Sequence, residues 1–286
     1  MEKVVSLNDK HNMKDLLSDN IELVDRLSGK VKRTKITLTD HYTGEVLGEY
    51  ENKVLITGSI LAACRIFGIE SDLDLPSYND SMHFDNDNDQ AEHDNVSIVQ
   101  LFCVGDDGCG PTPKDVYVVN YNDRIEPLTD IHNVDIGCMY PFRYESVDDD
   151  LPDELREYYF GRKTFDNDMI GYFFKTFDTT PELHVRYTDG TQVDDNMYSS
   201  TTSQIAECYV ETRLRITRND FRDFFEKVIG WDNGRISTLS LCNAWYYEKD
   251  GKKYFQEIYP YTKLNFSVEW LVDLTKAIDF NYCVYY

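Results

Sequence analysis

The densest group of metal-ligating residue types in this chain is Asp85-x-Asp87-x-Asp89, flanked by His83 and His93. Alternate carboxylates at this spacing open a calcium loop of the EF-hand kind, where they converge on one hard cation. The rest of that pattern is missing: Gln90 stands where the sharp turn needs glycine, and Val96 where a bidentate glutamate belongs. The reading is a solvated acidic loop. His83 and His93 have nothing to fix their geometry and define no transition-metal site. Cys103 and Cys109, with five residues between them, lack the second close pair of a zinc ribbon. The run Gly105-Asp106-Asp107-Gly108-Cys109-Gly110 is glycine-rich but has no Gly-Lys-Ser/Thr, and two aspartates would repel a phosphate. It reads as a tight turn.

No Gly-x-Ser-x-Gly elbow, no His-Glu-x-x-His and no Cys-His nucleophile context occurs, and none of the six histidines has a catalytic setting. Among 52 acidic residues some pair always falls at a glycosidase-like separation, so such a pair carries no information by itself. A glycoside hydrolase stays open only as an outside alternative. The chain reads as a non-enzyme, with no catalytic, cofactor-binding or metal-ligating residue assigned and no cofactor called for.

Composition narrows the class further. The 286 residues are 41% hydrophobic, ample for a real core, and carry 29 basic against 52 acidic side chains, a formal charge of −23. That sign disfavours tight nucleic-acid binding, which works by neutralising phosphates. It suits solubility, a basic partner, or a surface that borders a DNA passage without holding the duplex. The 21 tyrosines suit strands and interfaces, where an apolar ring with a polar tip is half buried. Seven scattered cysteines, an odd number, fit small buried residues made in a reducing cytoplasm. The start, Met1 to Leu7, lacks a long apolar core, and no run approaches the ~18 apolar residues that span a bilayer.

The elements that would position these groups are mainly strands. Residues 8–27 place Met13, Leu16, Leu17, Ile21, Val24 and Leu27 on one face of an amphipathic helix ended by Ser28-Gly29. Residues 1–30 thus form a helical arm, laid on its own domain or on a neighbouring subunit. Residues 31–286 form a β-rich domain with an acidic loop at about 77–96. Period-two segments around Thr43-Gly44, Asp189-Gly190 and Asp250-Gly251 predict hairpins, since such turns need positive φ. Thr217-x-x-Asp220 predicts a capping box before a helix whose buried stripe is Phe221, Phe224, Phe225, Val228 and Ile229, stopped by Gly230. Residues 152–159 and 267–278 are weaker helix candidates, and the terminal segment 280–286 reads as a strand held within a sheet. An antiparallel β-sandwich or barrel-like core with a few short helices is expected.

Two lead-ins set the functional reading. Asn52-x-Val54-x-x-x-Gly58 ends a strand and opens a small-residue helix, and Val104-Gly105-x-x-Gly108 runs on to Pro111-Thr112-x-x-Asp115. Their order resembles that in structural proteins of tailed bacteriophage particles, the neck, baseplate and fibre-attachment components. A third block, residues 236–242, is similar to a core strand of those chains only through Leu241. The resemblance implies a non-enzymatic virion protein, made and assembled in the host cytoplasm, whose partners are copies of itself and other virion proteins. A carbohydrate- or receptor-binding β-sandwich is the alternative, since exposed Tyr and Trp stack on sugars.

Overall fold

The computed structural model describes residues 33–67, 75, 77–85, 98–110, 115–132, 134, 137–187, 192–193, 205–231, 234–249, 252–269 and 277–285. The predicted arm over residues 1–30 lies outside them, as do Asp87, Asp89 and His93 of the acidic segment. In chain order, strands β1 (Arg33–Asp40), β2 (Val46–Glu51) and β3 (Lys53–Val54) precede helix α1 (Ile56–Phe67) and the helical turn α2 (Tyr78–Met82). Strands β4 (Ile98–Gly105), β5 (Met139–Tyr140) and β6 (Arg143–Ser146) lead to α3 (Asp153–Arg156), then β7 (Tyr159–Thr164) and β8 (Met169–Thr176). Strands β9 (Glu182–Tyr187), β10 (Gln192–Val193) and β11 (Ile205–Thr217) come before α4 (Arg218–Phe224). The series closes with β12 (Ile236–Lys249), β13 (Lys252–Pro260), β14 (Thr262–Glu269) and β15 (Ala277–Tyr285).

These strands form two antiparallel sheets. One has the order β10-β9-β11-β15-β1-β2; the other runs β3-β14-β12-β4-β8-β6, with β13 beside β12, β5 beside β4 and β7 beside β8. Their inner faces meet in one apolar core, where Phe280 of the first sheet lies edge-on to Phe266 of the second with ring centroids 5.5 Å apart. The architecture is mainly β and sandwich-like, as the alternating pattern predicts. The segment predicted to end within a sheet does so, as β15 pairs with β11 on one side and β1 on the other.

Local chemistry explains the turns that the sequence announces. Asp40 closes the first hairpin by accepting from the amides of Tyr42 (3.0 Å) and Thr43 (2.8 Å), and Gly44 takes φ +69°. Lys249 pairs with Lys252 and Arg186 with Gln192, so the other two hairpins pair across Asp250-Gly251 and Asp189-Gly190. The capping box at Thr217 and Asp220 is present, and Phe221, Phe224 and Phe225 are fully buried. One refinement concerns the last turn, Phe225–Ile229, which widens to a π-helix before Gly230 at φ +83°. The Phe225 ring is seated there edge-on to Trp231 at 5.4 Å and against the backbone of Gly234.

Two expectations are corrected. The acidic loop does not begin at residue 77: Tyr78, Met82 and Phe84 are buried, and Tyr78 and Phe84 both meet Phe174 with ring centroids 5.6 Å apart. Three apolar anchors within a polar composition are enough to fold residues 77–85 onto the sheet. The helix candidate at 267–278 also fails where it is described. Glu269 pairs with Ile236 in β14, and Ile278 pairs with Ile216 and Asp40 in β15, so ladder pairing overrides the weak helical period.

Candidate functional site

The first lead-in, residues 104–110 of the second and the third block, far apart in sequence, meet around β12 and β14, while Pro111 and Thr112 lie outside the described residues. At the first, the amide of Leu55 donates to the Tyr261 carbonyl at 3.0 Å, and Gly58 lies so close to that carbonyl that a side chain would strike it. At the second, the Gly108 amide donates to Ser237 Oγ at 2.9 Å, and the Gly108 Cα lies directly against the Ser237 backbone. The third block is β12 itself, whose buried Thr238 hydroxyl donates to the Leu264 carbonyl at 3.1 Å and whose Ser240 hydroxyl donates to that of Thr262 at 2.5 Å. The glycines serve close backbone approach, which no other residue permits.

The aspartates of the tight turn point into the fold. Lys263 Nζ donates to Asp107 Oδ2 at 2.6 Å and to the Arg124 carbonyl at 3.2 Å. Burial pushes the Asp107 carboxyl up from its ordinary value, against the pull of Lys263. Asp106 accepts from the Gly137 amide at 2.5 Å and faces Arg235 Nε at 3.6 Å. Burial, together with the Asp106 carboxylate, pushes the Tyr140 phenol well up. These carboxylates are internal braces.

From this frame the chain emerges as an exposed apolar run. Tyr117 (53% exposed), Val118 (82%) and Tyr121 (61%) stand in solvent beside Val116, and the amide of Ile56, itself exposed, donates to the Tyr121 carbonyl at 2.9 Å. Lys53 Nζ sits 4.3 Å from the centre of the Tyr121 ring. Together these residues form an exposed apolar group. Sequence reasoning did not single it out. The signal was there: Val116-Tyr117-Val118-Val119-Asn120-Tyr121 is uncharged and β-prone between Asp115 and Asp123.

A cleft of about 730 Å³ lies elsewhere, walled by Phe160, Phe177, Tyr254 and Phe255 with Arg156, Arg162 and Asp85. Asp85, the first carboxylate of the calcium-like series, pairs with Arg162 at 2.5 Å and accepts from Thr164 Oγ1 at 2.6 Å. Asp150 takes Arg156 at 2.8 Å and the Tyr172 hydroxyl at 2.6 Å. Its burial would raise the carboxyl, but those bonds outweigh it and hold the group below the usual range. The cleft's arginines are thus occupied by the protein's own acids. His83 is exposed at φ +50°, and among the described residues no three His, Cys, Asp or Glu side chains are placed to hold a metal ion.

Other buried acids are braces too: Asp220 pairs with Lys175 at 3.0 Å and Asp279 with Arg215 at 2.8 Å. Cys103 and Cys242 are buried with free thiols, their sulfurs 3.7 Å apart on neighbouring strands. Among the described residues no helix is long and apolar enough to cross a membrane. Comparison with protein-family models, with curated proteins and with solved structures yields no match.

Proposed function

We propose that this chain is a non-enzymatic structural component of a tailed bacteriophage virion, joined to copies of itself and to other virion proteins in a neck, tail, baseplate or fibre-attachment complex. One observation carries the reading: the stretches that resemble such proteins converge on a single frame, and that frame presents the exposed run 116–121 with Ile56. A sugar-binding sandwich would gather its exposed rings in a concavity. Here the exposed rings of Tyr42, Tyr117, Tyr121 and Tyr158 all lie outside the aromatic cleft. Net charge of −23 keeps the free chain soluble before it is built in.

The test is to purify tailed particles of the virus that encodes the chain, quantify it by mass spectrometry and locate it by electron microscopy. A fixed copy number at one substructure is expected. A chain missing from particles and monomeric at high concentration refutes the proposal.

A further inference from the structure

Residues 116–118 continue from a bridged position, and among the described residues only one of their two backbone edges is paired. On the inner side the Gly110 amide donates to the Asp115 carbonyl at 3.0 Å and the Tyr117 amide to the Gly108 carbonyl at 2.9 Å. These two bonds flank the antiparallel bridge between Cys109 and Val116. In an extended strand successive peptide groups face opposite ways, so the N–H and C=O of Val116 and Val118 face outward. None of these four groups bonds any described residue, whereas Asn265 Nδ2 takes the Tyr117 carbonyl at 3.0 Å.

An edge with no partner among the described residues, lined by β-branched and aromatic side chains, is a template for another strand. Natural sheets blunt such edges with lysine, proline or a covering element, and residues 116–121 contain neither a charge nor a proline. We propose that residues 116–118 dock an extended segment of another virion protein by strand addition, the outward groups of Val116 and Val118 supplying the hydrogen bonds. This rests on the virion assignment and names how the chain is joined. Charge selects the occupant. The chain has a formal charge of −23, so a second copy would bring a body of like charge to this edge. The segment that fits is uncharged to basic, with small or β-branched side chains.

Two measurements test this on the full chain. Hydrogen exchange is followed at the Val116 and Val118 amides in the free protein and in purified particles. A photo-crosslinking residue at position 118 then identifies the neighbour in the particle. Fast exchange in the free chain, slowing of about a hundredfold or more in the particle, and crosslinks to alternate residues of a segment from another protein are expected. Val118→Pro, which deletes one outward N–H, should reduce incorporation at least tenfold, while Val118→Ala should not. Thermal unfolding of the free variants separates this from misfolding, and the exchange measurement needs no variant. Slow exchange already in the free chain, or no protection in particles that contain the chain, overturns the docking edge and leaves the virion assignment standing. Crosslinks to position 118 of a second copy overturn the choice of partner. Absence from particles instead removes the virion assignment itself.

Discussion

Replacing Asp220 by asparagine should destabilise the fold far more than removing the lysine that pairs with it. The carboxylate is almost wholly buried and accepts from Tyr159 Oη (2.6 Å), Lys175 Nζ (3.0 Å to each oxygen), the Thr217 amide (2.6 Å) and Thr217 Oγ1 (2.8 Å). An asparagine keeps one acceptor for Thr217 and turns an NH₂ group toward Lys175, two donors facing each other. Lys175 then keeps only neutral acceptors, the amide oxygen it shares with Thr217 and the Arg215 carbonyl at 2.9 Å, and loses its counter-charge with its side chain only 15% exposed. Breaking a buried pair in this way costs about 3 to 5 kcal/mol, and the partial exposure of Lys175 sets Asp220→Asn near about 3 kcal/mol. Lys175→Met removes both contacts from Lys175 and leaves a buried carboxylate, but three donors, Tyr159 Oη and the amide and hydroxyl of Thr217, still meet that charge, so its cost is set at the low end for charged hydrogen bonds, about 1.5 kcal/mol. The double variant removes the stranded charge and should be more stable than Asp220→Asn alone. Equilibrium urea unfolding of all three variants measures this. A Lys175→Met loss equal to the Asp220→Asn loss, or strict additivity in the double variant, would refute the argument.

Two further outcomes follow from the same reasoning. Gly108→Ala drives a methyl group into the Ser237 carbonyl on a central strand and should cost about 2 kcal/mol or more, whereas Gly110→Ala meets first the Tyr117 hydroxyl at 3.2 Å, a movable ring, and should cost under about 1 kcal/mol; equal losses in thermal unfolding would contradict the close approach. Asp279 is buried, which would raise its carboxyl, but hydrogen bonds from Arg215 and His41 hold it below the usual range, so the unfolded chain takes up its proton first and stability falls with pH below ~4; urea midpoints of Asp279→Asn should fall less steeply there than those of the parent, and parallel slopes would disprove it.

What the sequence made legible was local. Asp40 and Gly44 announce their turn because the turn's chemistry lies within five residues. Thr217, Asp220 and the phenylalanines announce α4 for the same reason. The braces were opaque, since Asp220 meets Lys175 and Asp107 meets Lys263 only after the sheets are built. Composition misled at residues 77–85, where Tyr78, Met82 and Phe84 outweigh their polar neighbours. The edge at Val116 and Val118 was hidden differently: its residue types suggest a strand, but only the fold reveals which side lacks a neighbour among the described residues.

The place of β15 bears on how the molecule comes into being. Its pairing with β1 brings His41 to Asp279 across 238 positions of sequence, a closure whose chain entropy alone is about 5 kcal/mol. Until residues 277–285 arrive, the β1–β2 hairpin has no place in its sheet and β11 presents a bare edge. Refolding should be slow, governed by this long-range step rather than by the hairpins. A chain interrupted before β15 would yield no smaller working piece, only two adhesive sheet margins, so the last strand decides whether the whole sheet exists.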